Sequence, residues 1–261
     1  MIGPAAPGKG TTPHITVRDL TMAYGSFVLM RDMTFTINHG DVFIIMGGSG
    51  SGKSTLLRHL IGLNQPARGE IFYDDQNFTR ADAAQRQRIL RRVGITFQSG
   101  ALWSAMTLAE NIGLLLEEYT DLSPADIREV ASLKLALVGL KGFEDYYPSE
   151  ISGGMQKRAG LARAMALDPG ILLFDEPSAG LDPITSRLLD ELILDLRDSL
   201  GSTVVVVTHE LASIFTIGNN SIYLDTDTKT ITASGPPKEL LARSQDAKLR
   251  RFLTRGETET S

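Results

Sequence analysis

Cysteine is absent from the whole sequence, which excludes disulfides and thiolate metal sites and fits a reducing compartment. Long apolar runs are absent as well. The best candidates, at 43–46, 171–174 and 204–207, fall far short of the roughly 20 residues that cross a bilayer, so any membrane role is expected to be peripheral. Residues 1–12 hold glycine, proline and alanine but no hydrophobic signal core; a cytosolic address is expected, and 1–14 reads as a flexible N-terminus. There is no internal repeat and no low-complexity tract. The formal charge of −5 argues against broad electrostatic attachment to nucleic acid or an acidic lipid surface. What is present, 42% hydrophobic and 22% charged residues over 261 positions, suits one large globular domain or one domain with a substantial insertion.

The most informative segment runs from Phe43-Ile44-Ile45-Met46 into Gly47-Gly48-Ser49-Gly50-Ser51-Gly52-Lys53-Ser54-Thr55 and on to Leu56-Leu57. The order is strand, glycine loop, helix start, in which backbone N–H groups converge on one concavity and hold a polyphosphate. The spacing G-x-x-x-x-G-K-S is the P-loop pattern, with Lys53 reaching the β and γ phosphates and the Ser54 hydroxyl ligating Mg²⁺. No Asn-Lys pair is present to build the usual guanine-recognition motif, which argues against a GTPase switch.

Upstream of this loop, 15–17, 27–29 and 34–37 read as short strands of a small antiparallel layer, with a turn at 38–41. Downstream, a helix is predicted at about 53–62, a strand at 69–73, a turn at Asp74-Asp75, a helix at 81–92 and a strand at 93–97. Between 107 and 167 the pattern is almost purely helical, with starts at Ser123-Pro124 and Ser152 and a break at Tyr147-Pro148. Strands resume at 171–174 and 203–207 around a helix at 184–200, which implies βαβ crossovers and a parallel sheet. A hairpin at 222–233 and one or two amphipathic helices from Pro236 complete the chain.

Asp175 and Glu176 follow an apolar strand at its carboxyl end, where ligands of open α/β sheets bind. Asp175 suits Mg²⁺, and Glu176 suits polarising a water that attacks the γ-phosphate; the alternative is a polar turn and helix cap. His209 ends another such strand and is placed to meet the γ-phosphate or the water near Glu176. Gln98, at the end of 93–97, can sense Mg²⁺ or that water. Ser152-Gly153-Gly154-Met155 makes a second small-residue entry into a helix, hence a second anion cradle or an ordinary cap. A second cradle for one γ-phosphate suggests that two chains share the nucleotide.

In order and spacing, the P-loop, Gln98, Ser152-Gly153-Gly154, the strand ending in Asp175-Glu176, Ala179-Gly180-Leu181-Asp182 and His209 resemble the ABC ATPase nucleotide-binding domains over about 15–240. The resemblance implies an α/β fold: a P-loop NTPase cassette with a RecA-like parallel core and antiparallel layer (15–98 and 168–235), an inserted helical subdomain (99–167) and a helical tail (236–261). It implies ATP and Mg²⁺ as ligands. It further implies a head-to-tail dimer that sandwiches two ATP molecules, Ser152, Gly153 and Gly154 acting on the partner's γ-phosphate and Asp182 communicating across the interface. Tyr24 resembles the aromatic that stacks on adenine; a partly buried strand-end tyrosine is the alternative. The chain departs from the family in Ile151 for the usual Leu and Met155 for the usual Gln, which alters the surroundings of the second cradle but not its donors.

The run Phe97-Gln98-Ser99-Gly100-Ala101-Leu102-Trp103, with Met106 after it, falls where ABC transporters receive the coupling helix of their membrane subunit; Leu102 and Trp103 filling the helical core is the alternative. This run, the S-G-G-M cradle and Gly180-Leu181-Asp182-Pro183-Ile184 are similar to ATPases of the Mla/Mce lipid-transport group. That similarity implies a permease, an MCE-domain protein, in some members a small STAS-domain subunit, and work at the cytoplasmic face of the inner membrane. Other ABC importers or exporters, or a soluble ABC ATPase acting on ribosomes or DNA, are the competing readings; the latter usually carry two cassettes or long inserted arms. The tail is expected to pack on its own chain or reach across the dimer, and Arg86, Arg88, Arg91 and Arg92 to form a solvated basic helix face.

Overall fold

Residues 12–97 and 102–255 are described by the computed structural model, and they begin with a long hairpin. Strands β1 (Pro13–Tyr24) and β2 (Phe27–Asn38) pair antiparallel over twelve residues each, where the sequence suggests three short strands. The polar residues that interrupt the alternation, Asp19 and Asp32, take positive φ at register shifts, so the strands bulge and continue. Next come β3 (Val42–Gly47), α1 (Lys53–Leu60), β4 (Arg68–Tyr73) and β5 (Gln76–Asn77). Helix α2 (Ala83–Leu90) starts at a reciprocal cap between Asp82 and Gln85, and β6 (Val93–Thr96) follows it.

The helices α3 (Leu108–Tyr119), α4 (Pro124–Leu137) and α5 (Gly153–Ala164) are each opened by a side-chain cap, from Thr107, Ser123 and Ser152. A short 3₁₀ turn over Pro148–Glu150 stands where the break at Tyr147-Pro148 is expected. The chain then returns through β7 (Ile171–Asp175), α6 (Pro183–Leu200), β8 (Thr203–Val207), α7 (Leu211–Ile217), β9 (Asn220–Asp225), β10 (Thr230–Ser234), α8 (Pro237–Arg243) and α9 (Ala247–Leu253). Helix α7 has no sequence signal: it is seven residues long and Glu210 at its start makes no side-chain cap.

Two sheets result, one of order β2-β1-β4-β5 and one of order β10-β9-β3-β8-β7-β6. In the second, β9, β3, β8, β7 and β6 run parallel. Strands β3, β7 and β8 are buried at every residue, and their alternate side chains enter two different cores. Val42, Ile44, Met46, Leu172, Phe174, Val204 and Val206 face the core under α3 to α6; Phe43, Ile45, Leu173, Val205 and Val207 face the one under the antiparallel sheet and α1. Because β8 lies between β3 and β7, the carboxyl ends of these strands deliver Gly47, His209 and Asp175 to one edge.

At the opposite edge His14, His39 and Asp74 converge. The His14 ring is 3% exposed, bonds Thr203 Oγ1 through Nδ1 at 2.7 Å, and is pushed down to a pKa of about 4, first by burial. The two imidazoles stack at 3.6 Å and 14°, His39 Nε2 lies 3.0 Å from Asp74, and Arg92 holds the other Asp74 oxygen. Imidazole binds an ion in its ring plane, and two near-parallel planes this far apart share no such point, so the cluster is a hydrogen-bonded stack and not a metal centre.

The expected solvated basic surface is present in part: Arg88, Arg91 and Arg92 are exposed, whereas Arg86 is half-buried and donates to the Thr79 carbonyl. It is not one helix face, because α2 ends at Leu90; beyond it Arg91 lies over the Tyr119 ring and Arg92 pairs with Asp74.

Candidate functional site

A cleft of about 800 Å³ opens at the end of β3, lined by Tyr24, Leu29, the loop 47–55, Glu176, His209 and Phe252. The loop's path depends on glycine at its entrance: a Cβ on Gly47 would lie 2.6 Å from the Leu224 carbonyl oxygen and 2.7 Å from Ser51 Oγ. Gly52 opens α1 in the left-handed region, at φ 85°, where a side chain would also press on Leu29 and Met22. Gly48, Ser49, Gly50 and Ser51 complete the loop between them, and Thr55 stands in the first turn of α1.

The charged groups form one set. Lys53 Nζ donates to the carbonyls of Gly47 (2.9 Å) and Gly48 (3.0 Å), and burial lowers its pKa against the pull of Glu176 and Asp175. The Ser54 hydroxyl donates to Asp175 Oδ1 at 2.9 Å, and burial raises the Asp175 pKa. Desolvating a carboxylate beside a second carboxylate is costly unless cationic charge arrives. Glu176 sits at φ 50°, a left-handed conformation strained for a side-chain-bearing residue, with its N–H bonded to the Val207 carbonyl at 2.8 Å. One of its oxygens, Oε1, meets His209 Nδ1 at 2.8 Å; the other, Oε2, is buried with no partner. An orphaned carboxylate oxygen in a polar cleft is an acceptor without a donor.

Tyr24 is the last residue of β1, paired with Phe27, but it stands 53% exposed with its hydroxyl 3.4 Å from Thr55 Oγ1, so its ring lies beside the loop and is not partly buried in the sheet. Gln98, together with Ser99, Gly100 and Ala101, lies outside the described residues.

The second cradle is elsewhere. Ser152 Oγ accepts the Met155 N–H, Gly153 is exposed, and a Cβ on Gly154 would meet Thr185 Cγ2 at 3.1 Å and Leu181 Cδ2 at 3.6 Å, so the start of α5 packs on the first turn of α6 and the turn before it and does not line the P-loop cleft. Asp182 caps α6 through the N–H groups of Ile184 and Thr185, and the Thr185 hydroxyl bonded to it lowers its pKa. Lys157, whose role sequence reading missed, donates to the Ala179 carbonyl and ties α5 to the same turn.

A groove of about 630 Å³ runs between α2, β6 and α3, lined by Leu90, Trp103, Leu114, Tyr119 and Arg163 among others. Trp103 is 60% exposed while Leu102 packs on the core, so the tryptophan belongs to the surface. Asn111, fully buried, shapes this rim: its carboxamide accepts the Trp103 N–H and donates to the carbonyls of Trp103, Met106 and Thr107. Its place in the first turn of an amphipathic helix disguised it. The described part of the tail folds on its own chain, with Leu249 and Leu253 buried.

Comparison with known proteins agrees with this architecture. The family model described as ABC transporter matches residues 30–179. The chain is 42% identical over 239 residues to the probable ribonucleotide transport ATP-binding protein mkl of Mycobacterium tuberculosis, covering 92% of this chain and 66% of that protein, so it spans slightly less than two thirds of that relative's length. It is 38% identical over 245 residues to the intermembrane phospholipid transport system ATP-binding protein MlaF of Haemophilus influenzae, covering 94% and 91%. Among solved structures, the dimeric post-hydrolysis state of the cassette MJ0796 bound to ADP and Pi superposes with a TM-score of 0.77 at 31% identity, over 85% of this chain and 98% of that one. The cassette cbiO1 of Clostridium perfringens gives 0.80 at 26%, over 89% and 92%. The chain belongs to the ABC transporter family, as one of its ATPase cassettes.

Proposed function

We propose that the chain is the ATP-hydrolysing motor of a transporter that moves phospholipid or another hydrophobic substrate, working as two head-to-tail copies on a membrane permease. The observation that carries the hydrolytic half is the buried, unpartnered Glu176 Oε2 in the P-loop cleft, beside an oxygen already held by His209. In this reading the loop N–H groups take the triphosphate, and Lys53 turns its donors from the loop carbonyls to the β and γ phosphates. Tyr24 stacks on adenine, its ring being free to do so. Glu176 Oε2 accepts a hydrogen of the attacking water and orients it in line with the γ-phosphate; His209 holds the carboxylate in that orientation.

The donor set Ser54, Asp175 and Gln98 suits a hard divalent cation, since the hydroxyl and the desolvated acid already touch and burial of that acid outweighs the pull of Arg58 and Lys53 on it. Mg²⁺ held there supplies charge neutralisation on the phosphate oxygens.

The exposed Ser152 and Gly153 and the half-buried Gly154 serve the γ-phosphate of the second copy, with Asp182 reporting across the interface. Their separation from the chain's own cleft supports this, as does the dimeric ADP-bound state of a cassette of the same fold. The parallel core and antiparallel layer (15–98, 168–235) bind nucleotide, and the helical part (99–167) offers the Trp103 groove to the permease. No helix among the described residues is long and apolar enough to cross a membrane. In this reading the chain sits peripherally at the cytoplasmic face of the inner membrane, with an MCE-domain protein and, in some assemblies, a STAS-domain subunit as further partners and without a nucleic-acid partner.

Phospholipid is favoured by the MlaF relatives, which the chain covers nearly end to end, over the ribonucleotide named for mkl. Affinity purification of the tagged chain from detergent-solubilised membranes, followed by mass spectrometry of retained small molecules, is expected to yield a permease, an MCE-domain protein and phospholipid. Enrichment of ribonucleotides without lipid would overturn the substrate class, and retention on nucleic acid without membrane protein would overturn the motor role.

A further inference from the structure

The wall of the P-loop cleft is completed by a residue far along the chain. Phe252, half-buried on α9, lines the cleft with the loop, Glu176 and His209, and its ring leans on Tyr223 with centroids 5.4 Å apart. The helix that carries it is firmly held. Leu249 and Leu253 enter the main core, and Asp246 caps the first turn through the N–H groups of Lys248 and Leu249. Lys248 pairs with Asp225, at 3.2 Å, and with Asp227. Asp225 directly follows Leu224, whose carbonyl oxygen is the atom that leaves no space at Gly47. The start of α9 is thus tied to the strand end that abuts the entrance of the P-loop.

The far end reaches the other side of the chemistry. Just beyond α9, the Arg255 guanidinium lies 3.7 Å from the Glu210 carboxylate, and Glu210 is the residue after His209. Glu210 occupies the cap position of α7 without capping it, so its side chain is available to Arg255. The backbone of the turn is bonded, the Glu210 N–H donating to Thr208 Oγ1 at 3.0 Å and the Glu210 carbonyl accepting the Ile214 N–H at 3.0 Å, but the His209 side chain, 56% exposed, depends on its single bond to Glu176. A ring on such a turn samples several orientations unless a second support limits it.

We infer that α9 is a positioning element of the hydrolytic centre, in which Phe252 and the Arg255–Glu210 pair hold the His209 turn so that its imidazole stays on Glu176. The inference rests on the roles proposed above for His209 and Glu176. An exposed ion pair of this length contributes little to global stability, so its loss is felt at the turn and not in the fold.

Histidine NMR of the full chain tests this directly, because only four histidines occur and His14, His39 and His59 serve as internal controls. In Arg255→Ala and in Glu210→Ala the ¹⁵Nδ1 signal of His209 is expected to broaden toward tautomer averaging while the other three stay in place. In parallel, kcat for ATP should fall about 3–10-fold with KM within about twofold, as expected when only the orientation of a catalytic group is loosened. The double variant should lose no more than either single, and Arg255→Lys should recover most of the rate. Phe252→Ala should act in the same direction and Phe252→Tyr restore it. An unchanged His209 signal and kcat in Arg255→Ala and Phe252→Ala would overturn the inference, as would a loss confined to KM, multiplicative losses in the double variant, or equal disturbance of all four histidines. His209→Ala separates the two readings: if it hydrolyses ATP at the parent rate, the catalytic reading of His209 fails, while the NMR signal still judges the support by α9.

Discussion

At 47–55 the chain builds a cradle on the end of a strand buried at every residue, and adds a lysine, a hydroxyl, two acids and a histidine. At 152–154 it places another on the exposed start of α5, where the serine oxygen serves as a helix cap and the nucleotide cleft does not reach. The desolvated carboxylates, expensive to keep without a cation, are confined to the first. The second consists of backbone donors and small residues, which water satisfies at little cost while no phosphate is near. Under the proposed sharing of the site, each half is ready in its own chain and the whole is complete only when two chains meet.

The comparison breaks most sharply at Glu176. Glu176→Gln keeps the shape and removes the base, so hydrolysis should drop by about 10²–10⁴-fold while ATP stays bound and a dimer accumulates; size-exclusion chromatography with Mg-ATP reads both, and a parent-like turnover would end the proposed chemistry. Next comes Gly153→Asp, a change with open space around the added Cβ. It should leave folding and ATP binding by the single chain intact but cut hydrolysis by about 10²-fold, because the added carboxylate repels the phosphate proposed to sit at these backbone donors. Unaltered hydrolysis would show that the second cradle is only a helix cap. For Tyr24→Ala the loss belongs to the first cradle alone: about 1–3 kcal/mol of ATP affinity by titration calorimetry, with the dimerisation step unaffected once ATP is saturating.

The smallest expected effect lies in the scaffold that joins the two. Asp190 on α6 is buried, and that burial pushes its pKa from 3.8 up to about 6. The protonated form therefore favours the fold: its contribution is complete below about pH 3.8 and is lost as pH rises through 6. Asp190→Asn should raise stability at pH 8 by about 1–2 kcal/mol and change little at pH 4, as followed by urea unfolding. A stabilisation that is the same at both pH values would contradict the assignment to this carboxyl.

Legibility in the sequence followed locality. The P-loop, the strand ending in Asp175-Glu176 and the helix starts at Ser123 and Ser152 are contiguous patterns, and each is found where the pattern places it. Helix α7 escaped notice because it is short and uncapped, and the arginines of α2 looked like one face because periodicity alone does not show that the helix stops at Leu90. Asn111 and Phe252 were hidden for another reason: their importance lies in what they touch beyond their own helices, the rim loop at Trp103 and Met106 and the P-loop cleft.

Residue order by itself determined that a phosphate loop, two acids after an apolar strand, a histidine after another and a second small-residue cradle occur in one chain, since each depends on neighbours along the backbone. Only the tertiary structure decided that β8 lies between β3 and β7, that Glu176 turns one oxygen to His209 and leaves the other without a partner, and that Phe252 of α9 lines the cleft. Strand order and burial are set by how two cores fill around the sheet, a balance over the whole chain that no local spacing encodes.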